Sequence, residues 1–363
     1  MNYRADCFHF RGDVPCRPHK LRGVHCDGCP EYRARAGRVM LVKLGAAGDV
    51  VRTTPLLAPL RRDWPDHVLT WVTDFPDRVP AAVADVRRLD TATLLWLRHT
   101  QFDLAVNLDK DRQACGLLRV VNAARKAGFT LGDDGLCRPL TEGVSPAMAE
   151  AVRAKYLTGL FDDVNRACTR SYLQEIFAIC GYEFAGEPYV VDRPDPAPAF
   201  DLPAGPLVGL NTGCGGRWTS RLWPEDNWAA LAAGLRAAGL GVVLLGGPDE
   251  HAKNTRLAAA TGACYPGHFD LRTFTGLVDR CDLVVSAVTM AMHLALGLGK
   301  RLVLLNNIFN PHEFELYGRG VIVQPEQACS CFFQPRCTAP SFCLETLRPA
   351  TVQAAALDLL GRP

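Results

Sequence analysis

One pattern constrains the fold of this chain more than any other. Short apolar runs alternate with longer amphipathic ones, and the alternation occurs twice, on either side of a proline-rich stretch. In the first half the apolar runs are Val39–Leu44, Val68–Thr73, Leu104–Leu108 and Ala127–Leu131. Helical periodicity falls between them at Thr54–Arg62 and Arg112–Ala124; residues 132–146 read as a loop, and Ala147–Cys180 as helical again. In the second half the apolar runs are Leu207–Leu210, Gly241–Leu245, Leu283–Ser286 and Arg301–Asn306, with helices expected at Glu225–Ala238, Glu250–Thr261, Met290–Leu298 and Ala350–Leu360. Unbroken apolar strands separated by helices predict parallel βαβ units, buried on both faces of each sheet. Residues 188–206, PYVVDRPDPAPAFDLPAGP, hold six prolines and read as a linker. The expected class is therefore α/β, with two domains facing a cleft of the kind that takes ligands. The expected boundaries are an extension at 1–37, a first domain at 38–187, the linker at 188–206, a second domain at 207–345 and a terminal helix at 346–363.

Composition narrows the functional classes. Of 363 residues, 48% are hydrophobic and 21% charged, which fits a folded chain rather than a disordered one. The net charge is +2 with no long basic run, so a nucleic-acid-binding body is not expected. The N-terminal MNYRADCFHFRGD lacks the apolar core of a secretory signal, and no stretch reaches the roughly 18–20 apolar residues of a spanning helix. The expected location is cytoplasmic, with membrane contact limited to the periphery of the inner face.

Three strand-to-helix junctions carry the chemistry. The first, residues 39–62, reads VMLVKLGAAGDVVRTTPLLAPLRR. A strand ends in a small-residue loop, Gly45–Asp49, with Gly45, Gly48 and a single carboxylate, Asp49. A helix start follows at Thr53-Thr54-Pro55. The loop lacks both the Gly-Lys-Ser/Thr of a Walker loop and the spacing of the three-glycine dinucleotide fingerprint. It also fits a tight turn with a capping Asp. The second, GLNTGCGGRWTSRLWPEDNW, places Gly213, Gly215 and Gly216 after a strand and Arg217 and Arg221 before a helix beginning near Pro224. Glycines let backbone N–H groups approach a phosphate, and arginines neutralise it. The third, SAVTMAMHLALGLGK, offers Ser286 or Thr289 as a helix cap. Met290, Met292 and Leu294–Leu298 read as core, with His293 one turn inside.

Eight of the fifteen cysteines fall in two short windows, Cys7, Cys16, Cys26 and Cys29, then Cys329, Cys331, Cys337 and Cys343. Each window offers four thiols in loop-like sequence too short for its own core. Four thiolates hold structural zinc or iron, and an iron–sulfur cluster fits the same donors. Free thiols or partial disulfides are the alternative.

The three junctions together resemble glycosyltransferase family 9, the lipopolysaccharide heptosyltransferases. The resemblance spans about residues 38–325. Gly48-Asp49-Val50 with Thr54-Pro55 matches the family's first motif. Arg221, Trp223-Pro224 and Trp228 match its basic residue before Trp-Pro-x-x-x-Trp. Thr289, His293, Leu294 and Ala295 match part of its Asp-Thr-Gly-x-x-His-Leu-Ala, while Val288 and Met290 stand where the family usually has Asp and Gly. The resemblance implies two Rossmann-like domains of the GT-B type and inverting sugar transfer from a nucleotide-diphosphate donor, ADP-heptose or another. It implies an acceptor hydroxyl on a glycan, lipid or protein, and no catalytic metal. Asp49 is then the general base beside an acceptor loop of Gly45, Gly48 and Thr53. The nucleotide-sugar falls to Gly215, Gly216, Arg217, Arg221, Thr289, Met290, His293 and an acid at Glu313 or Glu315. Some relatives that glycosylate proteins carry cysteine-bound iron, which implies iron as an option here. The alternatives are a GT-B sugar-nucleotide epimerase, and a metal-binding scaffold or redox sensor on a degenerate transferase fold.

Overall fold

A computed structural model describes residues 2–361. The chain forms two compact units. The first comprises Met1–Val50, Leu56–Tyr156 and Ile176–Glu183; the second comprises Val51–Pro55, Leu157–Glu175 and Phe184–Pro363.

The first unit is built on six strands: β1 (Gly37–Val42), β2 (His67–Val72), β3 (Asp85–Arg87), β4 (Gln101–Asn107), β5 (Asn122–Leu131) and β6 (Cys137–Pro139), in the order β3-β2-β1-β4-β5-β6. All neighbours are parallel except β5 and β6. Central β1 is buried from Val39 to Val42, as expected of a strand covered on both faces. Met40, Val42, Val72, Leu97, Phe102 and Leu118 form one core cluster here. Each such side chain contributes about 1.5–3 kcal/mol on leaving water.

The second unit has five parallel strands: β7 (Leu207–Asn211), β8 (Gly241–Leu245), β9 (Leu283–Ala287), β10 (Arg301–Leu305) and β11 (Gly320–Val323), in the order β11-β10-β9-β7-β8. Every residue of β7, β8 and β9 is buried. Trp223 and Trp228 meet edge to face at 4.9 Å inside the core, and Trp223 Nε1 donates to Leu347 O at 3.0 Å. Residues 183–206 take no regular secondary structure, in keeping with the linker. No helix among the described residues is long and apolar enough to cross a membrane.

The departures from expectation have local causes. The helix expected over Arg112–Ala124 ends at Val120, and β5 starts at Asn122. The stretch 132–146 is not all loop, because Cys137–Pro139 pairs back onto Phe129–Leu131. The helical stretch 147–180 divides into Pro146–Thr158, Asp162–Ala167 and Tyr172–Ile179. The first glycine loop is shorter than expected: a helix runs from Ala47 to Thr53, so Asp49 lies in its first turn. Ala is the best helix former, and nothing between Ala46 and Thr53 breaks a helix apart from Gly48.

Candidate functional site

In the first unit, three charged side chains gather where β1 and β4 end. Lys43, one residue beyond β1, is buried, as is Asp109 beyond β4. Lys43 Nζ donates to Asp109 Oδ1. The other oxygen, Asp109 Oδ2, accepts from the Leu44 N–H and, at 3.4 Å, from the Gly45 N–H. Asn107 holds this aspartate at both ends of its backbone: Asp109 N–H donates to Asn107 Oδ1 at 3.0 Å, and Asn107 Nδ2 donates to Asp109 O at 2.9 Å. Asp49 Oδ2 accepts from Ala46 N–H at 3.3 Å and lies 3.7 Å from Lys43 Nζ, within ion-pair range but beyond a hydrogen bond. The Asp49 side chain keeps 30% of its surface exposed, whereas Lys43 keeps 6%. Burial pushes the Asp109 carboxyl above the usual carboxylate range, against the opposing pull of Lys43 and the Leu44 N–H.

The remaining first-loop residues divide. Gly45 and Gly48 are half-exposed. Thr53 is fully buried, with its hydroxyl 3.3 Å from the Tyr172 hydroxyl in the second unit's set of residues, so it is a packing position there.

In the second unit, the loop after β7 is open on one side and braced on the other. Gly215 has φ +72°, a left-handed conformation that suits glycine, and Cβ atoms at Gly215 and Gly216 would meet nothing within 4 Å. Arg217 is exposed beside Trp218. Arg221 is tucked beneath the loop: its Nη1 donates to Val288 O and its Nη2 to Cys214 O, at 3.5 Å for the second. Burial pushes the Arg221 guanidinium down to about 10, still protonated at neutral pH. Its Nε is buried with no hydrogen-bond partner, a donor left over inside the site. Lys253 Nζ donates to Thr212 O at 2.7 Å.

Sequence reasoning missed Glu250. Its carboxyl rests against Gly213 so closely that a Cβ at Gly213 would fall 1.9 Å from Glu250 Oε1. The Gly247 N–H holds the other oxygen at 2.9 Å. The available signal was the Gly246-Gly247-Pro248 turn following β8, which delivers an acid to the same sheet end as the glycine loop.

The third junction differs from expectation at its cap. Thr289 stands at the N-cap of the helix Met290–Gly297, yet makes no side-chain cap hydrogen bond. Its hydroxyl instead joins Ser286 Oγ at 2.9 Å and Asn211 Nδ2 at 3.2 Å, so neither Ser286 nor Thr289 caps the helix. Met290 is half-exposed rather than core, while Met292 and Leu294 are buried. His293 is buried and stacks on Tyr189 with ring centroids 6.1 Å apart. Glu313 is engaged by Arg52, whose Nη1 donates to Glu313 Oε1 at 2.7 Å and whose guanidinium lies 3.7 Å over the Tyr172 ring. Glu315 Oε1 accepts from Tyr317 N–H at 2.7 Å.

Among the described residues, no group of three or more His, Cys, Asp or Glu side chains closes into a metal-holding arrangement. The expected sites at Cys7, Cys16, Cys26 and Cys29 and at Cys329, Cys331, Cys337 and Cys343 are therefore not formed as closed sets. The windows still differ. In the first, Cys7 is buried and bridges to Ala34, and Cys26 and Cys29 share a turn. In the second, Cys331 Sγ lies 3.4 Å from Cys337 Sγ, and the Cys329 thiol hydrogen-bonds with that of Cys343. Cys331 Sγ also accepts the Thr338 N–H at 3.3 Å, which holds this thiol down to about 7. Sulfurs around a tetrahedral zinc, with Zn–S about 2.3 Å, lie roughly 3.7 Å apart. The second window has donors of the right chemistry near that spacing.

The sequence profile of glycosyltransferase family 9 (heptosyltransferase) matches residues 94–339, about two thirds of the chain. Among curated proteins, no sequence matches. Solved structures share the fold at low identity. A family 9 glycosyltransferase from Veillonella parvula aligns with TM-score 0.63 and 16% identity, covering 90% of this chain and 97% of that one. E. coli heptosyltransferase WaaC with ADP-2-deoxy-2-fluoro heptose aligns with TM-score 0.57 and 17% identity, covering 88% and 99%. The iron-containing dodecameric glycosyltransferase TibC from enterotoxigenic E. coli aligns with TM-score 0.55 and 15% identity, covering 90% and 78%.

Proposed function

The chain belongs to glycosyltransferase family 9, the heptosyltransferase family, and on that premise we propose that it moves a heptose or related sugar from a nucleoside-diphosphate donor to an acceptor hydroxyl, inverting the anomeric carbon. The acceptor hydroxyl belongs to a glycan, a lipid-linked core or a protein. Residues 38–187 bind the acceptor, and residues 207–345 bind the donor. The observation that carries this reading is Asp49: a carboxylate in the first helical turn after β1, held by the Ala46 N–H and the Lys43 ion pair yet 30% exposed.

The chemistry follows from the charges. Asp49 takes the proton of the acceptor hydroxyl as its oxygen attacks C1 of the donor. The bond from C1 to the β-phosphate oxygen breaks, and negative charge gathers on the departing diphosphate. Arg217, the buried donor of Arg221 and the N–H groups of Gly215 and Gly216 stabilise that charge. Thr289, Met290 and His293 complete the nucleotide side. Among the acids, Glu250 suits the ribose hydroxyls better than Glu313, because Glu313 is already held by Arg52. No catalytic metal is needed, since the cations present do the work of charge stabilisation.

The donor class is tested by calorimetric titration with ADP, GDP and UDP, then by nucleotide release from ADP-heptose in the presence of a lipopolysaccharide-core acceptor. Binding of ADP alone, with release that depends on acceptor, supports the reading. No binding of any nucleotide at millimolar concentration removes it and favours a scaffold on a degenerate fold.

The Cys329, Cys331, Cys337 and Cys343 loop supplies thiol donors for a structural zinc or iron, which would tie down a segment too short for its own core. The same proposal for Cys7, Cys16, Cys26 and Cys29 rests on their spacing alone. Metal analysis of purified protein tests both windows. One or two equivalents of zinc or iron fit the proposal, and none removes it.

A further inference from the structure

We propose that Lys43 and Asp109 act as a balanced charge pair that sets the basicity of Asp49. This inference rests on the reading of Asp49 as the base. Lys43 Nζ lies 3.7 Å from Asp49 Oδ2, and Lys43 is buried where solvent screens little. Left alone, a cation at that distance would lower the affinity of Asp49 for protons and weaken it as a base. Asp109 opposes this. It sits closer to Lys43 than Asp49 does and takes up most of its charge.

The same carboxylate also fixes the geometry. Asp109 Oδ2 receives the Leu44 and Gly45 N–H groups, so one side chain balances Lys43 and pins the start of the loop that bears the base. Asn107, on β4, locks Asp109 through its backbone. Lys43 and Asp109 are thus positioning residues that act through Asp49. The three charges sum to one negative, carried by the exposed member.

Other charged groups lie close to this cluster and make contacts of their own. Lys110 Nζ donates to Lys155 O at 3.2 Å. Asp111 caps the helix Arg112–Val120 through Ala114 N–H. Asp74, after β2, meets the loop through its own N–H, which donates to Leu44 O at 3.0 Å. Arg52, at the far end of the helix that carries Asp49, pairs with Glu313.

Charge balance makes a prediction that a packing role does not. In Lys43→Met, the two carboxylates lose the cation they share, and the Asp49 titration moves up by about one pH unit or more. In Asp109→Asn, the loop keeps an acceptor oxygen but Lys43 acts on Asp49 alone, and the titration moves down by about the same amount. The double variant Lys43→Met/Asp109→Asn restores the net charge, leaves no unpaired buried ion and brings the titration back close to wild type. The measurement is 13C NMR titration of the Asp49 carboxyl in the full chain, assigned by the signal missing from Asp49→Asn. It needs no substrate. If Lys43→Met folds poorly, Asp109→Asn and the double variant alone decide the matter. Opposite shifts that cancel in the double variant support the proposal; no shift, or shifts of one sign, overturn it. The base reading fails separately, if Asp49→Asn transfers sugar at the wild-type rate. If Asp49→Asn is inactive and the titrations do not move, this inference alone is wrong.

Discussion

The loops that follow the first strand of each unit have similar glycine-rich sequences and opposite electrostatics. After β1, two carboxylates share one buried lysine, and the surplus negative charge sits on the half-exposed Asp49. After β7, the charges that lean on the loop are mostly positive: Arg217 outside it, Arg221 beneath it and Lys253 behind it. Strand, glycines and helix are therefore a frame that either sign of chemistry can use. What separates the two loops is the side chain delivered by neighbouring strands, which local sequence does not reveal. A loop built around a retained carboxylate suits taking a proton, and one built around cations suits receiving a diphosphate.

Substitutions at the two loops should therefore fail differently. The largest effect is expected at Asp49. Asp49→Asn removes the proposed proton acceptor while keeping shape, and the transfer rate is expected to fall by about 10²–10⁴-fold. Nucleotide affinity measured by calorimetry stays unchanged. A matching loss of nucleotide affinity would move Asp49 to the donor side and erase the contrast between the loops.

Next comes Arg221→Met. This variant loses the buried cation and the bonds to Val288 O and Cys214 O, so the dissociation constant for ADP rises roughly 10–100-fold, as for the loss of a charge-assisted hydrogen bond of about 1.5–3 kcal/mol. The acid limb of the pH–rate profile does not move. A shifted limb would mean that Arg221 acts on the base.

Glu250→Gln sharpens the second loop further. The isosteric amide keeps the fit against Gly213 but weakens ribose recognition, and ADP affinity drops by about 3–10-fold, near 1 kcal/mol. Phosphate or pyrophosphate affinity, measured the same way, stays level. An equal loss for pyrophosphate would place Glu250 on the phosphates.

The smallest effect concerns the second unit's core alone. Burial pushes the Cys281 thiol up to about 12, from an ordinary 9.0. The folded protein then holds this proton over a range where the unfolded chain has released it. The contribution to stability is complete below pH 9 and is lost as pH rises from 9 toward 12. Denaturant unfolding should show a loss of about 1 kcal/mol between pH 9 and pH 10, reduced in Cys281→Ala. An identical decline in that variant would assign the effect to another group.

Legibility in the sequence followed burial. Gly241–Leu245 was readable to the residue because β8, though last in its sheet, is apolar and buried at every position. Strands with exposed and half-exposed positions were not. β3, Asp-Val-Arg, shows no run at all, and β5 opens with Asn-Ala-Ala-Arg-Lys, which reads as helix. Helix Leu271–Arg280 was overlooked beside the irregular segment that holds Gly267 and His268. In the site, Asp49 was visible because it stood alone among small residues. Lys43 lies inside the apolar run Val39–Leu44, where nothing in the local pattern marks it as part of a site. Its partner lies 66 residues away, and only the adjacency of β1 and β4 brings them together. Glu250 was hidden for the same reason, since a full helix separates β7 from β8 along the chain and only their pairing brings the two strand ends together.

The most direct test of the assignment of Asp49 as base is chemical rescue. Asp49→Ala removes the carboxylate and opens room beside the helix start. Transfer from ADP-heptose to a core acceptor is then followed as formate is added. The account predicts an inactive variant whose rate rises with formate and saturates, because the free carboxylate takes the place of Asp49. A variant that transfers at the wild-type rate without formate would contradict it.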